Sequence, residues 1–183
     1  MRGPEGEYIR NLDSRHEDSL KGQGFPAEDL VVDFFNTSGF DTRLSTSSED
    51  SGDVDIGPRQ TIDAVTYYEG KPAMGLQITT SSLRDVREKK LSEIRRKPFL
   101  RLDEMKPSDP AIPKVLVYLD AKDVKAFSGD PHFDSHPEMA IQILSSCVLS
   151  LQFDLSKTKN PLEQQAIRKL VEMLESEKKK YIH

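Results

Sequence analysis

A single cysteine, Cys147, is all the sulfur chemistry the chain offers apart from methionine. One cysteine excludes an intramolecular disulfide and any multi-cysteine zinc site. Lying in an apolar stretch, it reads as a small buried side chain rather than a nucleophile. No apolar run approaches the roughly 20 residues that cross a bilayer, and no apolar segment follows the basic residues of the N-terminus, as a secretory signal requires. Apolar residues are scarce overall: 36% hydrophobic against 31% charged implies one compact centre with polar extensions. Positive charge is also in deficit, with a net charge of −5. That argues against broad adhesion to nucleic acid, which depends on Lys and Arg neutralising phosphates. Nucleic acid as a substrate is not excluded, because a local basic face can coexist with an acidic total. The expectation is a cytoplasmic protein with no membrane partner.

At 183 residues the chain is expected to hold one domain with a sizeable core. Residues 1–24 carry four glycines and no periodicity, and read as a flexible tail ahead of a single α/β domain over residues 25–183. Pro26, Glu28 and Asp29 suit the start of a helix, and Leu30, Val31, Phe34 and Phe35 recur at helical spacing up to Gly39. Residues 40–46 alternate as a strand does. Thr80, Ser81 and Ser82 offer N-caps for a helix over about 83–102, with Val86, Leu91 and Ile94 on its apolar side and Pro98 ending or kinking it. Lys114 to Leu119 is a near-continuous apolar run, as expected of a strand buried on both faces. His136 to Leu151 has helical spacing, although its last part, VLSLQFDL, also alternates like a strand. Asn160-Pro161 opens a final amphipathic helix over about 160–180, a surface suited to forming a homodimer.

The most informative segment is Thr61 to Thr80, TIDAVTYYEGKPAMGLQITT. It reads as two strands joined by a turn at Glu69-Gly70. A three-residue loop, Glu69 to Lys71, sets Asp63 opposite Gln77 on one face; a two-residue loop sets Ile62 there and turns Asp63 away. Only the first register brings the two polar side chains together. The predicted order is helix, three strands, crossover helix, strand and further helices: a mixed sheet with helices on its faces.

Three pieces of this pattern resemble the PD-(D/E)xK phosphodiesterases, the restriction-endonuclease-like superfamily, nearest the branch of methyl-directed type IV restriction endonucleases. EDLVVDFFNTSGF resembles that family's first helix, Ile62-Asp63-Ala64-Val65 its Ile-Asp-Val-Val strand, and Gly75-Leu76-Gln77-Ile78-Thr79 its apolar-Gln-x-Lys strand. The likeness spans roughly residues 25–95. It implies a restriction-endonuclease-like fold and Mg²⁺ bound by Asp63, Gln77, the backbone carbonyl of Ile78 and Glu28. It further implies a nucleic-acid partner and a metal-dependent endonuclease activity. Thr79 stands where the family carries its catalytic lysine. Lys71 is about 26 Å away along the same strand, whereas Arg84, Arg87 and Lys90 lie in the first two turns of the following helix. Lys90 or Arg87 is the substitute the resemblance points to, and Arg84, Arg87 and Lys90 form its phosphate-binding set. With Thr79 neutral, two function classes stand side by side: a hydrolase that has moved its lysine, and a binding module on a nuclease-like fold that has lost catalysis.

Each residue has a plainer reading. Gln77 and Thr79 are ordinary strand polars, Glu28 complements a helix dipole, and a basic run such as Arg84 to Arg101 is usually a solvated face. The acidic loop around Glu49, Asp50, Asp53 and Asp55 matches no established calcium loop. Prolines around His132 and His136 break the helix that an i, i+4 metal pair needs.

Overall fold

The computed structural model describes residues 27–45, 62–80 and 83–182. The expected N-terminal tail, the acidic loop and the caps at Ser81 and Ser82 lie outside the described residues. The elements run α1 (Ala27–Thr37), β1 (Asp41–Leu44), β2 (Ala64–Tyr68), β3 (Lys71–Thr79), α2 (Arg84–Arg96), β4 (Phe99–Leu100), β5 (Ile112–Tyr118), α3 (Ala121–Gly129), α4 (Pro137–Lys157) and α5 (Pro161–Lys178), with a 3-10 turn at Lys179–Tyr181. The five strands form one mixed sheet in the order β1-β2-β3-β5-β4. β1, β2 and β3 pair antiparallel, β5 joins β3 in parallel after the α2 crossover, and β4 is antiparallel to β5. This is the α/β mixed sheet flanked by helices that the sequence pattern predicts.

Alternation along the strands sorts side chains onto two faces. Met74, Leu76, Ile78, Val115 and Val117 join Leu30, Val31, Phe34 and Phe35 of α1 and the buried stripe of α4 in the main core. On the opposite face Ile62, Val65, Leu100, Leu102 and Ile112 form a smaller cluster. Gly75 allows this second layer to sit close: a Cβ there would meet Leu100 Cδ2 at 2.7 Å and Ile62 Cγ2 at 3.3 Å.

Several local expectations change. The basic helix stops at Arg96, its N-cap is Leu83, and Val86 is exposed, leaving Ile94 as its buried anchor. Phe99–Leu100 then forms a short strand, and α3 fills the stretch after β5. VLSLQFDL is helical, the end of a 21-residue α4. By length and hydropathy α4 alone among the described helices could cross a membrane. Here its apolar stripe, Met139, Ile143, Leu144, Cys147 and Leu151, is the buried spine of the main core. Cys147 is fully buried, and burial pushes its thiol far above the ordinary range, so it is held inert as expected.

Candidate functional site at the open end of the sheet

The β2–β3 hairpin follows neither predicted register throughout. Its turn is the two-residue one: Tyr68 pairs Lys71, with Glu69 at φ 51° and Gly70 at φ 73°, both in the left-handed region that primed hairpin turns use. A bulge then shifts the register between Thr66 and Tyr67, after which Thr66 pairs Met74 and Ala64 pairs Leu76. That is the offset of the three-residue alternative, and continuing it sets Asp63 across from Gln77. At Asp63 the chain leaves the ladder. Its N–H donates to the Leu76 carbonyl (2.7 Å), and its own carbonyl accepts the Ser45 N–H (2.9 Å).

β3 therefore outruns β2 by a few residues, and the peptide groups of Ile78 face a position where β2 no longer supplies partners. Side chains supply them instead. The Asp63 carboxylate accepts the Ile78 N–H at 2.6 Å, and Lys90 Nζ, from α2, donates to the Ile78 carbonyl at 3.1 Å. Because both bind one residue's peptide groups, carboxylate and ammonium lie within about 10 Å of each other. On the other edge of β3, the Thr79 carbonyl accepts the Leu119 N–H at 3.0 Å.

Of the residues singled out in the sequence, Asp63, Ile78 and Lys90 are thus brought together. Gln77 and Thr79 are in parallel register with Leu116 and Tyr118, on the side of the sheet that α2 covers. At 5% and 7% exposure their side chains are recessed, so a polymer would meet this site from the strand end and α2 rather than across β3. Glu28 is half-buried in the first turn of α1, which packs on the opposite face. The three cations singled out in the first two turns of α2 differ in their surroundings. Arg84 pairs with Glu88 at 2.6 Å, Arg87 stands over the Tyr118 ring at 4.8 Å, and Lys90 is bound to Ile78.

The oxygen types suit a hard cation: an Asp63 carboxylate, a Gln77 amide and the Ile78 carbonyl. Among the described residues no group of three or more His, Cys, Asp or Glu is assembled to hold a metal. A cation here would rest on Asp63 with neutral oxygens, and the Ile78 carbonyl would have to be shared with Lys90. Of the two histidines in the Pro-flanked loop, His136 is the N-cap of α4 and sits beside Glu138 at 3.2 Å.

Sequence reasoning passed over two buried charges. Lys114 lies within the apolar run of β5 and is only 5% exposed; Asp154, on α4, has no exposure and, among the described residues, no hydrogen-bond partner for either carboxylate oxygen. Burial pulls Lys114 down to about 8, with Lys97 adding to the effect, and burial pushes Asp154 up to about 7 against the opposing pull of Lys114. The charged residue inside KVLVYL was the one available signal. Asp154 gave none, because helical spacing does not mark which polar residue turns inward. Comparisons with protein-family models, with curated proteins and with solved structures find no match to this chain.

Proposed function

We propose that the protein is a nuclease-like phosphodiesterase that acts on nucleic acid at the open end of its sheet, with Mg²⁺ as its cofactor. One observation carries this reading: Lys90 reaches the backbone of Ile78 beside the Asp63 carboxylate. A basic group thereby returns to a site where Thr79 provides none. The strand order supports it too, since a β-hairpin followed by a crossover helix and a parallel strand is what the restriction-endonuclease-like resemblance implies.

In this reading Asp63, Gln77 and the Ile78 carbonyl hold the ion. Bound there, Mg²⁺ would polarise the phosphate and lower the pKa of attacking water. Asp63 fixes the position of Ile78 through its N–H. Lys90 offsets negative charge that grows on the phosphate oxygens, the kind of electrostatic help worth about 10²-fold or more in rate. Arg87, on the same helix face as Lys90, draws the phosphate backbone towards α2.

Cleavage of single- and double-stranded DNA and RNA, assayed with Mg²⁺ and with Mn²⁺, tests the proposal. Wild type is expected to cut at least one substrate, Asp63→Ala to abolish cutting, and Lys90→Ala to slow it by about 10²-fold. Intact substrates under both metals would end the hydrolytic reading.

A second reading has its own observation. Asp63 and Lys90 together satisfy the peptide groups of Ile78, a structural role that needs no substrate. A non-catalytic nucleic-acid-binding module would then bind without cutting, with affinity falling steeply as salt rises.

A further inference from the structure

The cations of α2 are not equivalent, and their differences point to how a phosphate would be held. Arg84 is spent locally: its Nε lies 2.6 Å from the Glu88 carboxylate one turn on, and both side chains are exposed. Arg87 is placed otherwise. Its guanidinium carbon lies 4.8 Å from the centroid of Tyr118, and among the described residues no carboxylate or carbonyl takes up its N–H donors. The backbone that carries this ring is pinned on both sides. Tyr118 is the last residue of β5, in register with Thr79. Ser146 Oγ of α4 accepts the Tyr118 N–H at 3.4 Å and donates to its carbonyl at 3.3 Å. Arg87 also precedes Lys90 by three residues, so both side chains project from one face of the helix, and Lys90 marks the site itself.

A planar cation resting on an aromatic face keeps its N–H fork directed outward with little rotational freedom left to lose. This is a preorganised anion binder at the rim of the site, whereas Arg84 carries its own counter-ion. We infer that Arg87 binds a backbone phosphodiester of the nucleic acid, that Tyr118 is its positioning residue, and that Arg84 contributes little. The inference rests on the phosphodiester-binding reading and specifies which cation does the binding.

The test is the salt dependence of binding to a short fluorescein-labelled oligodeoxynucleotide, single-stranded and as its duplex, followed by anisotropy without divalent metal so that cleavage cannot interfere. Arg87→Ala is expected to weaken binding about tenfold and to lower the slope of log affinity against log salt by about one. Arg87→Lys should keep the slope but bind more weakly, since the charge remains and the stacked fork is lost. Tyr118→Leu should weaken binding severalfold while Tyr118→Phe leaves it unchanged, and Arg84→Ala should stay within about twofold of wild type. Unfolding curves identify any variant that fails to fold, and the Lys and Phe variants keep the test alive in that case. Wild-type binding that Arg87→Ala leaves unaltered, or a larger loss from Arg84→Ala, overturns the inference while the wider reading stands. Absence of wild-type binding removes the inference and the binding-module reading, and leaves the hydrolytic reading to the cleavage assay with metal.

Discussion

A single residue, Ile78, organises the candidate site, because its N–H and C=O point where the neighbouring strand has ended. A buried, unpaired peptide group costs about 1–3 kcal/mol, so a carboxylate and an ammonium at these two positions are favoured by folding as well as by any chemistry. Asp63 was legible in the sequence because strands disfavour aspartate. Lys90 was legible only through the empty lysine position at Thr79. Asp154 and Lys114 were not, and they govern a pH prediction. An ordinary aspartate releases its proton near pH 4, while burial holds Asp154 up to about 7. Between these values the folded state binds the extra proton, so stability falls as pH rises. Lys114, pulled down to about 8, reverses the sign: from there to about 10.5 the unfolded chain binds the extra proton, and stability climbs. The pair therefore puts a trough in stability between about pH 7 and 8, with flanks of up to about 1.4 kcal/mol per pH unit. Urea unfolding across this range checks it. Asp154→Asn should remove the descending flank below pH 7, and an unchanged profile in that variant would show that Asp154 titrates normally in the folded state.

Among elements, the β2–β3 hairpin shows how a sequence reading can identify the strands and still miss their register. Both candidate loops were visible around Glu69-Gly70. The outcome depended on a bulge near Ala73 that changes the offset midway, and nothing in alternating polarity announces an extra residue. Glu69 at φ 51° is strained, as glutamate lacks the short side chain that helps Asn tolerate this region. Glu69→Asn is expected to raise stability by about 1 kcal/mol, measured by thermal unfolding; a loss would mean that the Lys169 contact at 3.8 Å matters more than the strain. Helix side chains cap backbone groups on β1 and on the part of β5 that runs beyond β4. Asn36 of α1 accepts the Thr42 N–H at 2.7 Å and donates to its carbonyl at 3.1 Å on edge strand β1, while Ser146 and Ser150 bond the N–H groups of Tyr118 and Leu116 on β5. Asn36→Ala should cost about 1–3 kcal/mol and increase aggregation in light scattering, since the edge is then open to another strand. These caps were illegible because a polar residue at the end of an amphipathic helix, such as Asn36, gives no sign of the strand it will meet. The short β4 and α3 were also missed; two residues of strand and nine of helix offer too little periodicity to detect.

At the scale of the whole molecule, hydrophobic spacing was enough to predict the layered α/β architecture. α1, β3, β5 and α4 each carry apolar residues at the period of the element they form, and together these make the main core. The site was harder to read because it depends on where strands end rather than on how they pair. The charge distribution follows the same division: within an acidic chain, the helix that crosses from the candidate site to β5 is rich in Arg and Lys. Divalent-metal titration by calorimetry on wild type and Asp63→Ala, run alongside cleavage of labelled DNA and RNA, bears most directly on the central claim. The account predicts Mg²⁺ binding and strand scission by wild type, with both lost in Asp63→Ala. Equal metal binding by the two proteins, or intact substrates with wild type at saturating metal, would contradict it.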